Sequence, residues 1–285
     1  MSGLEGLGYK DSTAVLVGCS TGIGAATANL LVELGARLHT VSRNEPSVSG
    51  ESFHHVDLTD PDTISAAVTG LGAIGPIDHV FVCAGVPKTR PPREIMQVNY
   101  LGVRQLIDSL LPSIVTGGAI GLVSSNTALG WEAHLPLLLE LTAIADPRQA
   151  ARWCDKHPDE LGEAFATYVL SKQAMIAWAS HWAPTLARDH GIRVNCMLPG
   201  PTATPMVDEI AAEMGYAVFD AYPHPVLGRI PTAEEQAWPL LLLNSRLNAV
   251  AAGAVLFTDE GVSSGLLTGS IDLSALMPTT AENAL

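Results

Sequence analysis

The 285-residue chain is 47% hydrophobic and only 15% charged, with a formal net charge of −14. That apolar content excludes a disordered chain and suffices for a sizeable core, while the acidic excess argues against nucleic acid, whose phosphates require a basic face. No run reaches the roughly 18 unbroken apolar residues of a membrane helix, and residues 1–10 lack the basic patch and apolar stretch of a signal peptide, so a cytoplasmic protein is expected.

Short apolar runs alternate with longer helical patterns along the chain. Ala14–Val17 reads as a first buried strand, followed by the glycine-rich Gly18–Gly24 and a helix to Leu34 that stops at Gly35. Arg37–Val41 is a second strand and Phe53–Val56 a weaker third. Asp60-Pro61 opens the next helix with an acidic cap and a proline in its first turn. Asp78–Cys83 is a fourth strand, and a helical segment over about Arg93–Leu111 precedes the fifth, Ala119–Val123. A long helix covers about Leu161–Asp189, Ile192–Met197 is a sixth strand, and Ala254–Phe257 a last one before the acidic turn Asp259-Glu260-Gly261.

Continuously apolar strands separated by helices predict an α/β fold, a doubly wound parallel sheet covered on both faces. No repeat or low-complexity linker divides the chain, so residues 1–285 are expected to form a single domain. The four cysteines, Cys19, Cys83, Cys154 and Cys196, lie too far apart for a disulfide framework or a zinc site and read as small buried hydrophobes. No metal is expected.

Two long connections break the rhythm. Residues 126–167 form an insertion with an apolar part, Leu135–Leu141, and a charged part, Asp146–Glu163. Residues 201–231 are rich in proline and carry Met206, Met214, Tyr216, Phe219 and Tyr222, the composition of a lid. Long connections in a compact domain are functional or disordered, and apolar content favours folding over something.

Gly18-Cys19-Ser20-Thr21-Gly22-Ile23-Gly24 lies between a buried strand and an alanine-rich helix. Glycines there let the backbone turn sharply and approach a pyrophosphate, whose charge is met by amides at the helix start. The competing reading is a plain strand-to-helix turn. The second strand ends Val41-Ser42-Arg43, with no acid at its tip to bind ribose hydroxyls. Tyr168-Val169-Leu170-Ser171-Lys172 sets a phenol and an ammonium one helical turn apart on one face. A neighbouring cation favours the phenolate and is expected to lower the tyrosine pKa into a useful range.

With these motifs on the page the chain resembles the short-chain dehydrogenase/reductases over nearly all its length. Gly18–Gly24 is similar to their glycine signature, although Val17 stands where a threonine is usual. Cys83-Ala84-Gly85 resembles their Asn-Ala-Gly with the asparagine replaced, and Val98-Asn99-Tyr100, Ser124-Ser125 and Pro199-Gly200 follow in the family's order. The long insertion narrows the likeness to the branch of bacterial 3α-hydroxysteroid dehydrogenase/carbonyl reductase and coniferyl-alcohol dehydrogenase.

The resemblance implies a Rossmann-type oxidoreductase that moves hydride between a nicotinamide cofactor and an alcohol or carbonyl compound. It makes Tyr168 the general acid/base, with Lys172 lowering its pKa and binding the nicotinamide ribose. Ser125 would hydrogen-bond the substrate oxygen and Asn99 hold a water in the proton relay. Ser125 is preferred to Ser124 because strand alternation turns the second serine to the substrate. The cofactor residues it implies are Gly18, Ser20, Thr21, Gly22, Ile23, Ser42, Arg43, Asp57, Leu58, Ala84, Gly85, Tyr168, Lys172, Pro199, Gly200, Thr202 and Thr204. For Asp57 and for Thr202 and Thr204, capping the next helix is the alternative. The missing carboxylate at Ser42, supported by Arg43, favours NADP(H), with NAD(H) as the alternative.

The leucines Leu135, Leu137, Leu138, Leu139 and Leu141 beside the active-site serine suggest an apolar pocket wall. A bulky alicyclic or aromatic alcohol or carbonyl substrate is therefore expected, of the steroid, terpenoid or aryl-alcohol kind. A homodimer or homotetramer is expected as in the family. His54, His55 and His134 read as surface or loop residues, and Trp131 and Trp153 as packing. The competing functional reading is a nucleotide-binding regulatory or scaffold protein without turnover.

Overall fold

The computed structural model describes residues 4–273, so residues 1–3 and 274–285 of the expected 1–285 unit lie outside the described residues. The chain opens with β1 (Thr13–Val17), α1 (Gly22–Glu33), β2 (Arg37–Ser42), β3 (Ser52–His55), α2 (Pro61–Gly72) and β4 (Ile77–Val82). Next come α3 (Pro92–Met96), a π turn at Gln97–Leu101, α4 (Gly102–Leu110) and β5 (Ile114–Val123). The insertion folds as α5 (Leu135–Ala143), α6 (Pro147–Lys156) and α7 (Pro158–Leu161). The chain then forms α8 (Ala164–His190), β6 (Arg193–Pro199), α9 (Pro205–Met214), α10 (Ala217–Asp220), α11 (Ala233–Asn244), β7 (Val255–Thr258) and α12 (Val262–Thr268).

The seven strands are all parallel, in the order β3-β2-β1-β4-β5-β6-β7. Strand alternation decides which core each side chain joins. Val15, Val17, Val80 and Val82 face one layer with α2, α4 and α8, whereas Ala14, Leu16 and Phe81 face the other with α1 and α11. Both faces are therefore dry, and the fold is the expected Rossmann-type doubly wound sheet. Among the described residues no helix is long and apolar enough to cross a membrane.

The strands anticipated from sequence lie within a residue or two of those found, except that β5 starts earlier, at Ile114, across a register shift against β4. The long helix starts at Ala164, not Leu161, because Gly162 takes a positive φ of 61° and separates it from α7. The segment expected as one helix over Arg93–Leu111 is interrupted by the π turn, where Gly102 N–H reaches back to Gln97 O. Helices α11 and α12 are additional to the sequence reading. The first carries a plain signal: Thr232 and Glu235 form a reciprocal capping box.

Candidate active site

In a doubly wound sheet the ligand crevice opens at the carboxyl ends of the strands where the strand order reverses. Here that point lies between β1 and β4. Val17 pairs with Val41 on one side and Val82 on the other, which sets three strand ends level. A cleft of about 520 Å³ opens above them. All the candidate residues except Asn99 line it.

The glycine loop is packed against itself. A methyl group on Gly24 would fall 1.8 Å from the carbonyl oxygen of Gly18, and one on Gly18 would fall 2.4 Å from the backbone of Ala84. Gly18 and Gly22 have φ of 80° and 58°. The amino end of α1 has no acidic residue in its first turn and no side-chain cap from Thr21. Its amides are thus left for an anion, as a pyrophosphate requires. Gly85 completes the cradle, since a Cβ there would meet Lys172 Nζ at 3.3 Å and Asn99 Oδ1 at 3.4 Å. These residues fit a dinucleotide.

At the far end of the cradle Ser42 is buried, and its hydroxyl donates to Asn44 O. Arg43 beside it is exposed on the cleft rim. Asp57 caps its own turn, accepting from Thr59 N at 2.8 Å and Thr59 Oγ1 at 2.7 Å. Those bonds, aided by Arg43 and His55, hold its carboxyl below the usual range. Asp57 does not cap α2: that is Asp60, which accepts from Asp62 N at 2.9 Å. Leu58 is buried in the adjacent wall.

Helix α8 brings Tyr168 and Lys172 to the cleft floor one turn apart, with Lys172 Nζ 5.8 Å from the Tyr168 ring centroid. Ser125 leaves the end of β5 beside them. Its Oγ accepts from Thr127 N at 3.2 Å and Thr127 Oγ1 at 3.0 Å. Both lone pairs are then engaged, which leaves the Ser125 proton for the Tyr168 phenol, whose pKa Ser125 lowers. Ser124 instead donates to Lys172 O at 2.8 Å and takes a structural part.

Two details depart from expectation. Burial raises the Tyr168 pKa above its ordinary value, and the group that pulls it down is Ser125, not Lys172. Lys172 is itself only 4% exposed, and burial lowers its ammonium to about 8, so its charge is costly here. Asn99 sits in the π turn behind the cleft. Its Oδ1 accepts from Val86 N at 2.7 Å, and its Nδ2 donates to Val86 O at 3.1 Å and Ser171 Oγ at 3.3 Å. The carboxamide is thus engaged in bracing the loop after β4, and its Oδ1 keeps one lone pair beyond the bond from Val86 N.

The leucines of the insertion do not form the pocket wall. Leu138 and Leu141 are buried in the core that contains α8, and none of Leu135, Leu137, Leu138, Leu139 and Leu141 lines the cleft. The apolar wall comes from the loop after β4, the first turn of α8 and the lid: Val86, Phe165, Met206, Ile210, Met214 and Phe219. Tyr216 points elsewhere, with its hydroxyl on Asp208. Thr202 donates to Gly200 O and Thr204 to Thr202 O. Thr204 occupies the N-cap of α9 without capping it through its side chain. His134 is tied to the catalytic helix, its Nδ1 2.9 Å from Gln173 Oε1. Trp153 packs, as expected, with its indole N–H on Glu140.

Sequence reasoning did not single out Asn126, which donates from Nδ2 to Tyr222 Oη at 2.7 Å and Asp259 Oδ2 at 3.3 Å. Nor did it single out Lys88, whose ammonium lies 4.9 Å over the Phe165 ring at the cleft mouth. Neither belongs to a motif. For Asn126 the available signal was adjacency to Ser125.

Comparison with known proteins follows this geometry. A family model described as short chain dehydrogenase matches residues 12–136, and one described as enoyl-(acyl carrier protein) reductase matches residues 159–263. Coniferyl-alcohol dehydrogenase of Pseudomonas sp. (strain HR199 / DSM 7063) is 32% identical over 250 residues, spanning 88% of this chain and 96% of that protein. The chain belongs to the short-chain dehydrogenase/reductase family. It is an oxidoreductase of that family, whose members use nicotinamide cofactors. 3-alpha-hydroxysteroid dehydrogenase/carbonyl reductase of Comamonas testosteroni is 29% identical over 269 residues, 88% of this chain and 96% of that one. The solved 3-alpha-hydroxysteroid dehydrogenase of Pseudomonas sp. B-0831, complexed with NADH, superposes with a TM-score of 0.75 at 26% identity. It covers 92% of this chain and 100% of its own. The gap between the two family-model matches, 137–158, falls in the insertion.

Proposed function

We propose that this short-chain dehydrogenase interconverts a bulky, largely apolar alcohol and its ketone or aldehyde, with Tyr168 as general acid/base. One observation carries the reading. The Ser125 hydroxyl, the Tyr168 phenol and the Lys172 ammonium meet where the glycine cradle joins the apolar lid wall. Relatives named for coniferyl alcohol and for 3-alpha-hydroxysteroids are both consistent with a ring-bearing substrate.

The residues that would hold the cofactor are the glycine loop with the α1 amides for the pyrophosphate, Asp57 and Leu58 beside the adenine, and Lys172 on the nicotinamide ribose. Pro199, Gly200, Thr202 and Thr204 would hold the carboxamide side. The nicotinamide supplies the hydride acceptor or donor. Ser125 has one proton, and it can serve the Tyr168 oxygen or the substrate oxygen. With substrate oxygen between them, Ser125 donates to it while Tyr168 exchanges a proton with it. The lid residues exclude water from that oxygen and so strengthen both bonds.

NADP(H) is the proposed cofactor, because the tip of β2 offers Ser42 and Arg43 and no carboxylate. NAD(H) is the second reading, favoured by the NADH in the solved relative. A symmetric homodimer or homotetramer belongs to the same proposal. Because α5 packs on α8 and Arg104 of α4 donates to Thr142 O, the insertion occupies part of the face those helices offer a partner. Light scattering that finds a monomer at every concentration contradicts this part.

The deciding experiment is Tyr168→Phe. It removes one oxygen and should lower kcat by about 10²–10⁴-fold, the contribution of a positioned acid/base, with cofactor affinity nearly unchanged by fluorescence titration. If the variant keeps most of the wild-type kcat, the mechanism is wrong. If it binds cofactor but neither it nor the wild type turns over aryl, terpenoid or steroid alcohols, the non-catalytic reading takes over.

A further inference from the structure

The orientation of the Asn126 amide fixes the hydrogen-bonding role of Tyr222. Asp259 is buried, and its carboxylate accepts from Gly261 N at 3.2 Å, Ser263 N at 2.9 Å and the Ser263 hydroxyl. A carboxylate so supplied with donors is an acceptor, so it is the NH₂ end of Asn126 that faces it. The same nitrogen lies 2.7 Å from Tyr222 Oη. Tyr222 is therefore the acceptor in that contact, and its own proton is not used by it.

No described residue accepts that proton in the structure. The ring of Tyr222 lines the cleft among Met206, Met214 and Phe219, and its oxygen is anchored one residue along the chain from Ser125. Burial, with Asp259 and Glu260 nearby, pushes its pKa up to about 12, so the phenol keeps its proton at any working pH. A second bond holds the neighbourhood in place. His224 Nδ1 lies 2.9 Å from Glu260 Oε1, and Glu260 Oε2 accepts from Val226 N and Leu227 N. A neutral donor is thus fixed in a wall shared with Met206, Met214 and Phe219. Orienting a ligand is the usual work of such a group.

We propose that Tyr222 is a specificity residue whose O–H donates to a second oxygen of the substrate, distinct from the one that exchanges a proton with Tyr168. The substrate class narrows accordingly, from an apolar ring alcohol or carbonyl to one bearing a second, ether, phenolic or carbonyl, oxygen. This rests on the oxidoreductase reading above, and the test separates the two.

The test compares shape-matched pairs in which only the second oxygen changes: 4-methoxycinnamyl against 4-ethylcinnamyl alcohol, and 4-methoxybenzyl against 4-ethylbenzyl alcohol. Wild type should favour the methoxy member by about five- to tenfold in kcat/KM, the scale of one neutral hydrogen bond in a dry site. Tyr222→Phe should collapse that preference to within about twofold. A merely structural Tyr222 would lower both members of a pair together and leave the ratio intact. Asn126→Ala, which releases the anchor without deleting the phenol, should reduce the ratio less than Tyr222→Phe does. Turnover of either pair with no wild-type preference, or a preference that survives Tyr222→Phe, overturns this proposal and leaves the oxidoreductase reading standing. Turnover of no alcohol in the set overturns both.

Discussion

The Lys172 ammonium donates to the carbonyl oxygen of Val123 at 3.3 Å, at the end of β5, and the thiols of Cys83 and Cys196 beside it stay protonated, because burial pushes both up to about 12. An ammonium in that position is held against its solvation. Its pKa falls from 10.5 to about 8 through burial, which corresponds to a cost of roughly 3 kcal/mol.

The sign follows from proton uptake. Between pH 8 and the ordinary lysine pKa the unfolded chain binds this proton and the folded protein does not, so stability rises with pH across that window. Below pH 8 the whole cost is present. Lys172→Met should therefore melt higher than wild type at pH 7, by about 5–10 °C for a chain of this size, while losing turnover. The advantage should shrink in melts at pH 9 and above. A variant that melts lower than wild type at pH 7 would show that the ammonium is not under strain.

Burial raises the Tyr168 pKa, and Ser125 is the group that opposes that rise. Because both its lone pairs are taken by Thr127, its proton is aimed at the phenol oxygen, where it favours the phenolate. Under the proposed mechanism alcohol oxidation needs the phenolate form, so its rate should rise with pH through the Tyr168 pKa. Ser125→Ala removes the group that lowers that pKa. The ascending limb of kcat/KM for oxidation should move to higher pH, and the plateau should fall by roughly 10²-fold with the lost contact to the substrate oxygen. Profiles measured from pH 6 to 10.5 decide this: a lowered plateau with an unmoved limb would leave Ser125 a substrate contact alone.

The parts of this site that are contiguous in sequence were legible there. The glycine loop, the Tyr168–Lys172 pair and the Ser124-Ser125 step each carry their geometry in a few neighbouring residues, through backbone φ, helical period or strand alternation. The Asn126–Tyr222–Asp259 cluster joins three segments far apart in the chain, so no local pattern announces it. Leu135–Leu141 failed for a different reason. Apolar residues declare that they are buried, not what they are buried against, and here the partner is α8 and not a ligand. Helix α11 carries no clear helical period, because Pro239 falls inside it and its apolar residues lie on several sides, although Thr232 and Glu235 mark its start.

That correction has its own consequence. Leu138 is fully buried in the core beside α8. Leu138→Ala should cost about 2–5 kcal/mol of stability, the loss of transfer energy plus an unfilled cavity. KM for apolar alcohols should stay within about twofold, measured well below the melting temperature. Met206→Ala, in the cleft wall, should do the opposite and raise KM with little change in melting. If Leu138→Ala raises KM and leaves the melt unchanged, Leu138 touches substrate after all.

Cofactor choice turns on the tip of β2. A carboxylate there accepts hydrogen bonds from both ribose hydroxyls and repels a 2′-phosphate. Ser42 is buried and neutral, with its hydroxyl spent on Asn44 O, so neither effect operates. Arg43 lies on the rim where its guanidinium can pair with a phosphate, although Asp57 shares its field. Ser42→Asp supplies the missing carboxylate and places it beside any 2′-phosphate. The ratio of kcat/KM for NADP(H) over NAD(H) should fall by at least about tenfold, a change of roughly 1.4 kcal/mol between the two cofactors. Arg43→Ala should lower the NADP(H) value and leave NAD(H) nearly alone. Both variants keep the glycine cradle, so cofactor titration by fluorescence gives the same comparison without turnover. A wild-type enzyme that already prefers NAD(H) by tenfold, with Arg43→Ala affecting both cofactors equally, would falsify the NADP(H) assignment and make Arg43 an adenine-side contact only.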